Sequence, residues 1–75
     1  MIEINGIYYA KSTIKKISSI IRIREGEVYF YEFTVYINLG DGKIRERTIQ
    51  VEDNNDNSLL RISEQQDELI KLLNN

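Results

Sequence analysis

The chain of 75 residues contains no cysteine, no histidine, no proline and no tryptophan. Without cysteine it can form neither a disulfide nor a thiolate metal site. Without an imidazole or a thiolate, serine-triad, cysteine-nucleophile and common zinc chemistries are excluded. Acid–base chemistry would have to use Asp, Glu, Lys or Tyr, and no carboxylate pair stands in a motif for a catalytic pocket. We therefore predict a protein that is not an enzyme and has no catalytic residue, no cofactor and no metal.

Long apolar runs are also absent. No segment approaches the ~18 consecutive apolar residues that cross a bilayer, and Met1–Asn5 lacks the basic and apolar regions of a signal peptide. Apolar residues make up 41% of the chain and charged residues 29%, which are ordinary values for a folded domain. These features predict one domain over residues 1–75, in the cytoplasm and without a membrane partner.

The charge balance is slightly acidic, with 10 basic and 12 acidic residues. Residues 1–51 carry eight bases and six acids, whereas residues 52–75 carry two bases and six acids. Neither part has the concentrated positive charge of a dedicated nucleic-acid binder. The distribution indicates a mildly basic sheet followed by an acidic helix.

The first nine residues contain an Asn-Gly pair, at positions 5–6, between two short apolar segments. Asn-Gly readily adopts positive φ at both central positions of a two-residue turn. Such a turn sets Ile4 opposite Ile7 and Ile2 opposite Tyr9, so that these side chains share one face. The pattern predicts a β-hairpin.

Two less regular segments follow the hairpin. Lys11–Ile17 permits one helical turn but is too short to stand alone, and we interpret it as a connector. The β-branched content then rises over Ser18–Arg24, which predicts a strand.

The strongest pattern in the chain is the alternation over Val28–Leu39. Apolar or aromatic residues fill every odd position, and polar residues stand at 32, 34 and 38. The odd positions are Tyr29, Tyr31, Phe33, Val35, Ile37 and Leu39. This segment is predicted to be the central strand, with its odd side chains in the core.

The Gly-Asp-Gly turn at residues 40–42 determines how the next strand pairs. A two-residue loop would send the later apolar residues of that strand to the wrong face, whereas a three-residue loop pairs Phe33 with Ile49. We prefer the three-residue loop, which leaves Arg45 and Arg47 on the core side with their charged ends in water. A bulge in this strand is the alternative.

The C-terminal part predicts a helix after the polar loop Asp53–Ser58. Leu59–Ile62 fits either a short edge strand or the first turn of the helix. Ser63 and Gln66 have the spacing of a capping box. The acidic residues that follow Ser63 would interact favourably with the positive N-terminal end of the helix dipole. We therefore predict a helix from about Ser63 to Asn74.

The segment that begins at Asp53 also matches part of a calcium-binding EF-hand loop. Asp53, Asn55, Asn57 and Glu64 stand at ligand positions one, three, five and twelve. However, the sixth position is Ser58 instead of glycine, and the preceding segment predicts a strand instead of a helix. We favour a polar turn, with calcium binding as a minor hypothesis.

Aromatic residues alternate with arginines in the sheet region, as in proteins that stack single-stranded nucleic acid. The arginines are Arg22, Arg24, Arg45 and Arg47. Phosphate contacts need concentrated positive charge, whereas this chain disperses it and has a pI of about 5.0. A single-stranded nucleic-acid-binding module is therefore the second hypothesis.

The even-numbered face of the sheet is the most informative feature for function. If Ile21 and Ile23 lie with the odd residues beneath the helix, Ile20 and several apolar residues project from the opposite side. The residues that we assign to this protein-interaction surface are Arg22, Val28, Phe30, Tyr36 and Ile44. One helix cannot cover both faces, so the surface would meet another macromolecule. The alternative is a half-open barrel that buries the patch on itself.

We predict an α+β fold: a curled antiparallel sheet of about five strands, a meander or half-barrel, with a C-terminal helix packed on one face. This layout resembles a reduced pleckstrin-homology-like architecture, which does not fix function. The usage of Ile, Asn and Lys resembles that of small proteins of AT-rich bacteria and their phages. The predicted function is a non-enzymatic protein-interaction module, a regulator or inhibitor, whose partner is another protein or a second copy in a homodimer.

Overall fold

Six strands and one α-helix follow one another along the chain, and the computed structural model describes all residues from 1 to 75. The elements are β1 (Ile2–Ile4), β2 (Ile7–Tyr9), β3 (Ile14–Ile17), β4 (Ile21–Glu25), β5 (Val28–Asn38), β6 (Ile44–Glu52) and α1 (Ser58–Leu73). A short 3₁₀ turn, Lys11–Thr13, connects β2 to β3.

The N-terminal hairpin has the predicted register. Asn5 and Gly6 both have positive φ, 51° and 82°, as a two-residue hairpin turn requires. Ile4 pairs with Ile7 and Ile2 pairs with Tyr9. The hairpin forms a separate two-stranded sheet.

Strand β5 is the centre of the main, four-stranded sheet. β6 pairs along one side of β5, while β3 and β4 share the other side, β4 at the beginning of β5 and β3 at its end. All pairs are antiparallel, the sheet is open, and α1 packs on it, which confirms the predicted α+β class. The prediction of a connector over Lys11–Ile17 is wrong in its second half, because Ile14–Ile17 pairs with β5 as a strand.

The register between β5 and β6 is the one that the three-residue loop predicts. Phe33 lies opposite Ile49, and the pairing is regular from Phe30 to Asn38 without a bulge. Arg45 and Arg47 accordingly lie on the core side, opposite buried residues of β5. Both side chains are partly exposed, as expected for aliphatic stems that pack while their charged ends reach water.

The register of β4 differs from the expectation by one residue. Glu25 lies opposite Val28, so Gly26 and Glu27 form a two-residue turn, and Gly26 has a positive φ of 63°. Each odd residue of β4 therefore lies opposite an even residue of β5, with Ile23 across from Phe30. Because a shift of one residue exchanges the two faces of a strand, Ile21 and Ile23 project away from the helix and Arg22 projects towards it. The expected placement of these residues is wrong.

The helix begins earlier than the capping-box pattern predicts. It starts at Ser58, so Leu59–Ile62 is the first part of the helix, and Ser63 lies inside it. The hydroxyl of Ser58 is fully buried and accepts hydrogen bonds from the backbone N–H groups of Asn54 and Asn55, at 3.2 and 3.3 Å. The loop before the helix is thus closed by a side chain of the first helical turn, and the predicted start at Ser63 is wrong.

A single hydrophobic core lies between the main sheet on one side and the hairpin and helix on the other. Its nine buried residues are Ile2, Ile4, Tyr9, Phe33, Val35, Ile37, Val51, Ile62 and Leu69. Of the odd residues predicted to be internal, Phe33, Val35 and Ile37 supply the centre of this core, and Tyr29 and Tyr31 are half-buried. The prediction is wrong for Leu39, which is 49% exposed because β5 ends at Asn38 and Leu39 already belongs to the turn. The helix is neither long nor apolar enough to cross a membrane.

Candidate functional site on the outer face of the sheet

The side of the main sheet opposite the helix and hairpin is called the outer face. It consists of the even residues of β5 and β6 with the odd residues of β4, since paired strands place opposite residues on the same side. Both the helix and the hairpin contribute their buried residues to the core on the other side. No element of the chain covers the outer face.

The apolar residues of the outer face form two groups at opposite ends of β5. The larger group joins Ile21 and Ile23 of β4 to Val28 and Phe30 of β5. Ile21 is 52% exposed and Val28 is 39% exposed, although both are large aliphatic residues. An apolar group of this kind on an otherwise polar surface is typical of a contact site.

The smaller group lies at the far end of β5. Tyr36 and Ile44 project from neighbouring strands, and Ile44 is 55% exposed. The ammonium of Lys16 lies 5.7 Å from the centre of the Tyr36 ring, on the outer face as well. A tyrosine flanked by an aliphatic and a cationic group offers a partner apolar, polar and charged contacts at one point.

A strip of paired polar residues separates the two apolar groups. Gln50 Nε2 donates to Glu32 Oε1 at 2.8 Å, and the hydroxyls of Thr34 and Thr48 are 3.2 Å apart. These cross-strand pairs satisfy each other within the chain. A partner that covers the centre of the outer face therefore has fewer polar groups left to pair, and a donor for the Glu32 carboxylate is the main one.

The charged residues of the outer face are predominantly acidic. The face carries one cation, Lys16, and four carboxylates. The acidic residues are Glu25, Glu32, Glu46 and Glu52. This excess of negative charge favours a partner with basic groups around its contact surface.

Four of the five residues assigned from the sequence to the interaction surface lie on the outer face, Val28 and Phe30 in the larger group and Tyr36 and Ile44 in the smaller one. Arg22 lies on the inner face, and Ile20, also expected outside, packs against the core. Ile21 and Ile23 also lie on the outer face, although the sequence pattern predicts them on the inner one. The two-residue turn at Gly26-Glu27 is the sequence signal that would have found them.

Arg22 is held by two contacts within the chain. Its guanidinium lies 3.9 Å from the centre of the Tyr29 ring, and its Nε donates to Asp53 Oδ2 at 2.9 Å. Arg24 lies farther from the same ring, at 5.8 Å, and donates to the carbonyl of Gly26. Arg22 and Arg24 thus lie beside Tyr29 on the inner face, near the turn between β4 and β5.

The other two arginines proposed for nucleic-acid binding are also bonded within the chain. Arg45 donates to both carboxylate oxygens of Asp41, and together with the Lys43 N–H it lowers the pKa of Asp41 to about 2. The same hydrogen bond raises the pKa of Arg45. Arg47 donates to the hydroxyl of Tyr9 at 3.0 Å and to the carbonyl of Glu46.

The residues of the calcium-loop pattern have local partners. Asp53 accepts from Arg22, and Asn55 Oδ1 accepts from the backbone N–H of Asn57 at 2.8 Å. Glu64 lies within the helix. No group of three or more acidic residues in the structure is arranged to hold a metal ion.

Side chains and a backbone amide occupy much of the free edge of β6. The carbonyl of Thr48 accepts from Asn5 Nδ2 at 3.0 Å, that of Glu46 accepts from Arg47, and that of Glu52 accepts from the backbone of Asn54. Such contacts hinder the addition of another strand. The outer face, in contrast, has no such cover.

Comparison with known proteins gives no match to a family model, to a curated protein or to a solved structure.

Proposed function

We propose that the protein is a non-enzymatic protein-interaction module, a small regulator or inhibitor, that binds its partner through the outer face. The observation that carries this proposal is the uncovered apolar group formed by Ile21, Ile23, Val28 and Phe30. A chain of 75 residues can bury only roughly 60–65% of its unfolded surface by itself. Apolar side chains left outside gain further stabilisation when a partner covers them.

The charge of the outer face favours a different protein over a second copy as the partner. Two copies that met through this face would bring eight carboxylates and only two Lys16 ammonium groups together. A partner that surrounds an apolar patch with lysine or arginine would complement both features. A homodimer is the competing outcome.

The size of the outer face predicts a reversible complex. A strand of 11 residues at about 3.3 Å each, in a sheet three strands wide at about 4.8 Å each, covers roughly 500 Å² in projection. A pair of such surfaces buries about 1,000 Å², which is the lower limit of specific protein interfaces. This size suits a regulator that binds and dissociates.

The test replaces the aromatic residues at the two ends of the outer face. We expect Phe30→Asp, Tyr36→Asp to abolish capture of the partner from a lysate of the producing cells, while the circular dichroism spectrum is unchanged. Phe30→Thr, Tyr36→Thr keeps residues that favour strands and is expected to weaken capture at least tenfold. Sedimentation of the purified protein distinguishes the expected monomer from a homodimer.

The matched control is Leu59→Asp, Leu60→Asp, which places the same two charges at exposed apolar positions of the helix. We expect this control to bind as the unmodified protein does. The proposal would be contradicted if both outer-face variants captured the partner as well as the unmodified protein does. It would also be contradicted if the helix control lost as much capture as the outer-face variants.

A further inference from the structure

A groove separates the hairpin from the helix, on the side of the molecule away from the outer face. Its volume is about 520 Å³, and β1, the middle of β6 and one side of α1 line it. The apolar part of its lining consists of Ile4, Ile49, Leu69 and Leu72. Leu72 is 46% exposed, so part of this apolar lining is open to water.

The backbone of β1 is unpaired on the side that borders the groove. The two-residue turn makes Ile4 and Ile7 a hydrogen-bonded pair, and alternation then directs the N–H and C=O of Glu3 away from β2. The hairpin residues that line the groove all come from β1 and the turn. The free edge of β1 therefore offers a donor and an acceptor next to an apolar surface.

The charged residues around the groove are mainly acidic. Three glutamates line the groove, Glu3, Glu64 and Glu68, and Arg61 is the one basic residue in the lining. None of them takes part in either of the two ion pairs in the structure. Their charges are thus available to a cationic ligand.

We propose that this groove binds a short extended segment of a partner protein, which adds to β1 as a third strand and carries alternating apolar and basic side chains. An extended segment fits better than a helix, because only an extended backbone can bond the free edge of β1. The groove follows α1 from Arg61 to Leu72, about 16 Å, a span of about five extended residues. This site is separate from the outer face.

The test uses a fluorescein-labelled hexapeptide of alternating lysine and valine, measured by fluorescence polarisation. We expect saturable binding to the unmodified protein. Methylation of alternate backbone nitrogens, on the peptide edge that faces β1, should weaken binding at least tenfold, because it removes the donors that a strand needs. Replacement of lysine by glutamate should abolish it.

Protein variants locate the binding site. We expect Glu3→Lys, Glu68→Lys to weaken binding of the lysine–valine peptide at least tenfold. The control Glu27→Lys, Asp56→Lys makes the same charge change at two exposed positions outside the groove and the outer face, and it should leave binding within twofold. Phe30→Thr, Tyr36→Thr should also bind the peptide normally, which separates this proposal from the one on the outer face.

Three results would each overturn the proposal. They are the absence of saturable binding up to about 1 mM peptide, equal affinity for the methylated peptide, and an equal loss of binding in the control with reversed charges at positions 27 and 56. The last result would assign binding to the net charge of the protein instead of the groove.

Discussion

At the scale of single residues, the two serines near the start of the helix have different roles. The sequence pattern assigns the cap to Ser63, whereas the structure places the buried hydroxyl of Ser58 at the loop that precedes the helix. We expect Ser58→Ala to lower the free energy of unfolding by about 1–3 kcal/mol, because two backbone N–H groups lose their acceptor. Ser63→Ala should change it by less than about 0.5 kcal/mol. Urea denaturation measures both, and a larger effect at Ser63 would contradict the assigned helix start.

Asp41 gives the protein a defined response to acid. Its pKa is lowered from 3.8 to about 2 by the hydrogen bond from Arg45 and that from the Lys43 N–H. A carboxyl whose pKa is lower in the folded state contributes stability above its unfolded pKa, and this contribution is lost as the pH falls towards the folded pKa. We therefore expect the difference in unfolding free energy between the unmodified protein and Asp41→Asn to be constant above about pH 5 and to shrink between pH 3.8 and about 2.

The measurement is urea denaturation of both proteins from pH 2 to 7, with Arg45→Gln as a second variant. Arg45→Gln removes the main cause of the lowered pKa and should lose most of the same pH-dependent difference. A difference between the unmodified protein and Asp41→Asn that stays constant down to pH 2 would show that this ion pair does not form in solution.

At the scale of elements, the sequence predicts those strands whose turns and alternation agree. The Asn-Gly turn fixes the first hairpin, and the alternation of β5 fixes which side chains are internal. In β4 these signals conflict, because isoleucines suggest an inward face while the turn at Gly26-Glu27 directs them outward. The turn determines the register. Arg22 can lie on the inner face because Asp53 and the ring of Tyr29 contact its guanidinium.

Other elements depend on distant contacts that a local pattern does not contain. β3 has only four residues, and it forms because it pairs with the end of β5. Similarly, Gln66 in the helix donates to the carbonyl of Ser18, 48 residues away, at 2.8 Å. The outer face could be predicted from β5 alone, whereas its larger apolar group required the register of β4.

Only part of the apolar face of the hairpin packs in the core, and only that part is expected to stabilise the fold. Ile4 and Ile7 are paired across the hairpin, but Ile4 is 1% exposed and Ile7 is 50% exposed. We expect Ile4→Ala to lower the unfolding free energy by about 2–5 kcal/mol, because it leaves a cavity in the core. Ile7→Ala serves as the matched control, with an expected loss of less than about 1 kcal/mol. Equal losses, measured by denaturation, would mean that the hairpin does not pack on the sheet as described.

At the scale of the whole molecule, the fold leaves its longest sheet surface without cover. The hairpin and the helix both pack on the inner face, and the chain has no further element for the outer one. The molecule measures 38 × 26 × 20 Å, so the outer face extends along nearly its full length. Under the proposed function, a partner protein covers this face.

The most direct measurement is site-specific photo-crosslinking with benzoylphenylalanine in a lysate of the producing cells. The label replaces Phe30 or Tyr36 on the outer face, or Leu60 on the helix as the control, and mass spectrometry identifies the crosslinked peptides. We predict adducts from positions 30 and 36 to one protein, at peptides that contain apolar and basic residues, and none of these from position 60. Adducts at position 60 alone, or none at positions 30 and 36, would contradict the account.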